Sequence, residues 1–304
     1  MSDCLNLEIA GINLLIAADG LKIVRHSDPA YQGFFMTERA RSTDIVIKIK
    51  PDPMPDSRGM KKIFDSGESW SLFRSGNTYV LIFQPPVFTR PYLMAEMNHA
   101  FAQVTIYCSE HLINRIGETI TVSNPVQYPL DQIILMHYLA QRQGALIHAA
   151  GLDIDGCGYV FPGRSGAGKS TLSRQFLGQK EFHLFSDDRM AVRKTAEKFT
   201  VYGTPWPGDE GIADNGSSRL SGIFFLSHGN CNRMERINPQ KALELLLPVT
   251  SIPWYEEESM TKAISFCEDI TSHVPSYNLQ FMPETGVPQF FHDFHKESFH
   301  AKRQ

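Results

Sequence analysis

Between Leu5 and Ser109 the chain alternates apolar and polar residues in short runs, with β-branched and aromatic side chains at many of the apolar positions. LNLEIAGINLLIAA (5–18), DIVIKIK (44–50), ESWSLFRSGNTYVLIF (68–83) and AFAQVTIYC (100–108) each carry partial period-two patterning. That period sends successive side chains to opposite faces and predicts strands. Ser75, Gly76 and Asn77 interrupt the third run with turn-forming residues, so a hairpin is expected there. Pro51, Pro53 and Pro55 cannot donate to a ladder and mark an exposed loop. Residues 1–128 therefore read as a β-rich, mostly antiparallel N-terminal module.

The period changes at Pro129. Leu130, Ile133, Met136, Leu139 and Ala140 recur at helical spacing, which predicts a helix opened by Pro129, closed by Gly144 and bridging two modules. His137 rides on it and reads as a surface or half-buried histidine. Two apolar runs, ALIHAAGLDID (145–155) and CGYVF (157–161), then meet at Asp155 and Gly156, a strong hairpin signal. Next come a short helix, a strand in FHLFSDD (182–188), a hairpin in RMAVRKTAEKFTVYG (189–203) and a Gly- and Pro-containing loop. A strand in LSGIFFLS (220–227) and helices starting near Pro239 and Pro253 follow, and the tail FFHDFHKESFHAKRQ (290–304) reads as amphipathic. Residues 129–304 form the second expected domain, of α/β class.

Composition narrows the function classes. The chain has 304 residues, longer than one typical core supports, and its 42% hydrophobic and 20% charged residues fit a fully folded protein. A formal net charge of -4 lacks the basic footprint of a nucleic-acid binder. Cys4, Cys108, Cys157, Cys231 and Cys267 are scattered without paired short spacings, which fits neither a disulfide framework nor a zinc site. With no basic leader and no apolar run of spanning length, the expectation is a cytoplasmic protein without membrane partners.

The chemistry concentrates in GYVFPGRSGAGKSTL (158–172). Gly163, Gly168, Lys169 and Ser170 satisfy the phosphate-loop pattern, with Arg164, Ser165, Gly166 and Ala167 between them and Thr171 beginning the following helix. Glycines let backbone N–H groups curl around a phosphate, Lys169 brings positive charge to the β- and γ-phosphates, and Ser170 offers a hydroxyl to Mg²⁺. The helix directs its positive end at the same anion. Both expected cofactors, ATP and Mg²⁺, follow from this loop.

Carboxylates decide what happens to a gripped phosphate. Asp187 and Asp188 end the strand after the loop helix; one would hold Mg²⁺ and the other accept a hydroxyl proton. In the long loop YGTPWPGDEGIADNGSSRL (202–220), Asp209 or Glu210 offers a further metal carboxylate. Arg219 offers charge neutralisation for a transferred phosphoryl group.

The stretch LIHAAGLDIDGCGYVFPGRSGAGKSTL with HLFSDDRMAV resembles the catalytic domain of HPr kinase/phosphorylase and its looser relatives, in order and spacing over about fifty residues. The resemblance implies a P-loop domain with a mixed sheet, of the type shared with phosphoenolpyruvate carboxykinase. It implies that His148 is the active-site histidine, Lys169 and Ser170 the loop pair, Asp187 the proton acceptor and Asp188 a support for metal or acceptor. Three features depart from the family: His-Ala-Ala-Gly replaces His-Gly, Lys-Ser-Thr replaces Lys-Ser-Glu, and the Glu-x-Arg-Gly segment is missing.

The expected function is an ATP- and Mg²⁺-dependent phosphotransferase acting on a hydroxyl of a protein, peptide or small molecule. The other reading is a nucleotide-binding ATPase or switch that transfers nothing. Expected partners are the nucleoside triphosphate, the hydroxyl-bearing acceptor and a second copy of the chain in a homo-oligomer.

Overall fold

The computed structural model describes residues 3–25, 28–38, 41–51, 53–117, 119–283 and 286–301, and the last three residues of the expected C-terminal tail lie outside them. The chain forms two compact units: residues 1–141 with 253–258, and residues 142–252 with 259–304. Both mix strands and helices; strand far outweighs helix in the first unit and only slightly exceeds it in the second.

In the first unit, β1 (Asp3–Ile9), β2 (Ile12–Ala18) and β3 (Lys22–Val24) precede β4 (Ile45–Lys50). β5 (Lys61–Asp65), β6 (Trp70–Ser75), β7 (Thr78–Phe83), β8 (Leu93–Asn98) and β9 (Gln103–Cys108) follow. Then come β10 (Ile113–Ile116), β11 (Thr119–Ser123) and the helix α1 (Leu130–Ala140). Eight strands form one sheet in the order β1-β2-β4-β9-β8-β7-β6-β5, while β10, β11 and β3 form a small second sheet. Within the large sheet β2–β4 and β4–β9 are parallel and the other pairs antiparallel, so the expected mostly antiparallel module holds, with a parallel segment beside it. Alternation fixes the register: Leu5, Leu7 and Ile9 pair in sequence with Ile16, Leu14 and Ile12, and all six are buried.

Contrary to the boundary expected at 128/129, α1 belongs to the first unit and the division falls at 141/142. Three contacts hold it there. The buried Tyr31 hydroxyl donates to Asp131 Oδ2 at 2.6 Å, Tyr138 donates to Asp44 at 3.4 Å, and the His137 ring stacks on Phe101 with centroids 4.3 Å apart. His137 is fully buried, not half-exposed, and burial pushes its pKa down to about 4. Gly144 does not close the helix either: α1 ends at Ala140, Gln143 turns the chain at φ 53°, and Gly144 opens the next strand.

The second unit begins with β12 (Gly144–Ile154), β13 (Cys157–Pro162) and α2 (Lys169–Phe176), followed by β14 (His183–Ser186), β15 (Arg189–Thr195) and β16 (Lys198–Tyr202). β17 (Ser217–His228), β18 (Arg233–Ile237) and α3 (Pro239–Leu246) lead to α4 (Glu257–His273), whose first two residues belong to the first unit. β19 (Ser276–Phe281) and α5 (Val287–Ala301) complete it. Pairings β12–β13, β13–β17, β17–β16, β16–β15 and β15–β12 close on themselves, with β19 and β18 continuing from β17. One core gathers Ile147, Val160, Val192, Val201 and Phe225 against α3 and α4. A second, rich in phenylalanine, gathers Phe161, Phe176, Phe224, Phe281 and Phe291 and seats α2 and α5. The two clusters fix where β13 ends and α2 begins.

Candidate functional site

The site grows from a tight hairpin. Asp155 and Gly156 both take positive φ, 50° and 78°, which matches the twist of the two strands and delivers β13 antiparallel to β12. β13 is buried from Gly158 to Pro162, and residues 163–168 then loop into α2. The loop closes tightly on itself: a Cβ on Gly163 would lie 2.7 Å from that of Ala167, and the Ala167 N–H donates to the Arg164 carbonyl at 3.1 Å. Gly168 is the helix N-cap at φ 97°, a conformation that L side chains rarely adopt, and its own Cβ would meet Phe281 at 2.8 Å. Arg164, Ser165 and Gly166 form the exposed tip, while Ser170 and Thr171 sit part-buried in the first helical turn.

The N-cap of α2, Gly168, has no side chain with which to accept the first-turn N–H groups. Lys169 is buried, and its ammonium folds back onto the loop, donating to the Gly163 carbonyl at 2.8 Å and to that of Arg164 at 3.4 Å. Burial holds this amine below the ordinary lysine range, opposed by the charge of Asp188.

A break in the ladder places the carboxylates. Along one edge of β12, β15 pairs with residues 144–148 and β14 with residues 151–153. Asp187 and Asp188 occupy the gap between them, where the Ser186 hydroxyl accepts the N–H groups of Asp188 and Arg189, each at 3.3 Å. Backbone bonds lock the gap to the loop: Ala149 N–H donates to the Asp188 carbonyl at 2.9 Å, and Gly163 N–H to that of His148 at 3.1 Å. His148 Nε2 lies 2.8 Å from Asp188 Oδ1, and Arg189 Nε lies 3.2 Å from Asp188 Oδ2.

Burial alone would raise the Asp188 carboxyl, but the hydrogen bond and charge of His148, with Arg189 and Lys169, hold it below its ordinary value. A depressed carboxyl contributes stability that is complete above its unfolded pKa and is lost as pH falls through the lowered folded value. The melting-temperature advantage of wild type over Asp188→Asn is therefore expected to persist down to the ordinary carboxylate value of 3.8 and to shrink as pH falls further. A pH-independent difference by scanning calorimetry contradicts the pairing.

Asp187, read in the sequence as the proton acceptor, turns inward. It is 2% exposed, and its two oxygens accept three backbone N–H groups: Gly208 at 2.8 Å and Ile212 at 3.2 Å on Oδ1, Glu210 at 2.8 Å on Oδ2. The carboxylate is thus an anchor for the loop that follows β16. Gly208 is part of the fit, because a Cβ there would lie 2.8 Å from Asp187 Oδ2. Asp187→Asn turns one acceptor oxygen into an NH₂ facing N–H donors, so a loss of about 3 kcal/mol in urea unfolding is expected. A change below about 1 kcal/mol contradicts the anchor.

The other acids separate. Glu210, expected as a metal ligand, pairs with Arg174 of α2 at 2.7 Å and ties the loop to that helix. Asp209 is exposed, with its charge felt by Lys169. Arg219 pairs with Cys157 at the start of β13, six residues or about 20 Å of strand from the loop, so it does not join the site. Among the described residues no group of three or more His, Cys, Asp or Glu side chains is arranged to hold a metal. Arg189 and Arg174 were not singled out from the sequence; only the position of Arg189 beside the two aspartates signalled it.

The site is a glycine loop with a buried lysine at an open helix start, beside a His–Asp–Arg cluster, in a mixed α/β unit. No family model matches the chain, and no curated protein matches it in sequence. Among solved structures, the Hpr(Ser) kinase/phosphatase from Coxiella burnetii aligns with 52% of this chain and 96% of its own, at 13% identity and a TM-score of 0.29. A TM-score this low defines neither a shared fold nor a shared activity. Among the described residues no helix is long and apolar enough to cross a membrane.

Proposed function

We propose that the protein is an ATP- and Mg²⁺-dependent phosphotransferase, HPr-kinase-like in its P-loop domain, that moves a γ-phosphate onto a hydroxyl of a protein, peptide or small molecule. One observation carries this reading: Lys169 lies at the uncapped start of α2, within electrostatic reach of an Asp188 that His148 and Arg189 hold ionised. Loop amides and the ammonium bind the phosphates, and the Ser170 hydroxyl, part-buried in the first turn of α2, would hold Mg²⁺, which would supply charge neutralisation on the phosphates.

Asp188 takes the proton of the acceptor hydroxyl, with His148 and Arg189 fixing its orientation. A weakly basic carboxylate is adequate, because phosphoryl transfer through a loose transition state depends chiefly on position and charge. Asp187 keeps the 203–216 loop in place beside it. Incubation with γ-labelled ATP, Mg²⁺ and cell-extract fractions tests the activity: label is expected on a hydroxyl of a protein or metabolite. Label found only as free phosphate contradicts transfer.

The switch reading has one observation in its favour. Asp187 and the Arg174–Glu210 pair couple the long loop to both β14 and α2, so nucleotide at α2 would bear on the loop's position. In that case hydrolysis without transfer is the expected outcome of the same labelling experiment.

A further inference from the structure

We infer that His228 is the nucleobase-stacking residue of the site, so that its preferred ligand is a nucleoside triphosphate and not a bare polyphosphate. This inference rests on the triphosphate reading of the loop. β13 has two neighbours. On one side β12, with the residues following β14, carries His148 and Asp188. On the other side β17 runs parallel to β13 and ends at His228, which pairs with Phe281 of β19.

Both rings border the last residue of the glycine loop. A Cβ on Gly168 would lie 2.8 Å from Phe281 Cζ and 3.1 Å from His228 Cε1. Phe281 is fully buried, whereas His228 is exposed, its ring tilted 41° over Phe281 at 5.8 Å between centroids. Its backbone is pinned by Gln280 Nε2 donating to its carbonyl at 3.4 Å and by Gly229 N–H donating to the Phe281 carbonyl at 3.2 Å. Its ring nitrogens have no hydrogen-bond partner among the described residues. An exposed π face, backed by a buried ring and anchored at the backbone, is a ready surface for stacking.

Direction follows from the chemistry. The reacting end of a bound triphosphate must face the carboxylate, on the β12–β14 flank. The α-phosphate and nucleoside then leave toward the opposite flank, where His228 stands. Base–aromatic stacking strengthens binding and tolerates any base, since each presents a π face.

Titration calorimetry with MgATP, MgGTP and magnesium tripolyphosphate tests this on the full chain. Wild type is expected to bind both nucleotides about 10-fold tighter than tripolyphosphate. His228→Ala is expected to remove that preference, His228→Phe to keep it, and tripolyphosphate affinity to stay the same in all three. An unchanged nucleotide preference in His228→Ala overturns the inference, as does an equal weakening of tripolyphosphate, which would make His228 a phosphate contact. In either case tripolyphosphate binding that Lys169→Ala abolishes still upholds the loop reading. If neither nucleotide nor tripolyphosphate binds wild type, that reading fails and the inference with it.

Discussion

Replacing Lys169 by alanine is expected to weaken binding of the magnesium–nucleoside triphosphate complex by about 100-fold or more. The estimate rests on two charge-assisted hydrogen bonds at about 1.5–3 kcal/mol each, made from a buried ammonium to the β- and γ-phosphates. Lys169 already sits at 7% exposure against the loop carbonyls, so little rotamer entropy is lost when a phosphate arrives. Removing it takes a donor from the Gly163 carbonyl, while the Arg164 carbonyl keeps the Ala167 N–H, a modest effect because the loop tip is exposed to water. The expected pattern is therefore a small fall in melting temperature without nucleotide and complete loss of the rise that nucleotide induces. A variant that is still stabilised by ATP to the wild-type extent contradicts the placement of the phosphates.

Asp188→Asn is expected to retain nucleotide binding within a few-fold and to lose transfer by about 100- to 10,000-fold, the range for removing a positioned general base. The amide keeps the shape of the side chain and one acceptor oxygen, which can face Arg189 while its NH₂ faces the His148 ring nitrogen, so the charge and the basic oxygen are lost with little change of shape. Single-turnover transfer of labelled phosphate measures the effect directly. Transfer at the wild-type rate would remove Asp188 from the chemistry. The comparison with Asp187→Asn separates the neighbours: Asp188→Asn loses transfer with the smaller loss of stability, and Asp187→Asn unfolds more readily in urea.

Much of this site was legible in the sequence because its signals are local. The Asp155–Gly156 turn, the strand entering Gly163 and the helix leaving Gly168 are each specified within a few residues, and all appear where the pattern put them. The division of labour between Asp187 and Asp188 was not legible. It depends on N–H groups 21 to 25 residues further along, and on a ladder break set by where β14 and β15 meet β12. Nothing in two adjacent aspartates says which will turn inward. The same limit applies to Glu210, whose partner Arg174 lies 36 residues earlier.

The fold shows a parallel contrast. β8 sits in the middle of the first sheet, yet LMAEMN offers methionine and alanine where β-branched residues would have flagged a strand. Packing between β7 and β9 supplies what local propensity lacks. α1 was found from its period, but it is apolar nearly all round, so the period could not tell which unit it packs in. Tyr31 and Asp44, which hold its polar side chains, are distant in sequence.

The central claim is that residues 163–171 cradle a triphosphate. Titration calorimetry of the wild-type chain with ATP and Mg²⁺ tests it most directly. The account predicts saturable one-site binding that disappears in Lys169→Ala. A folded wild-type protein that gives no heat of binding with ATP or GTP across the micromolar to millimolar range would contradict it.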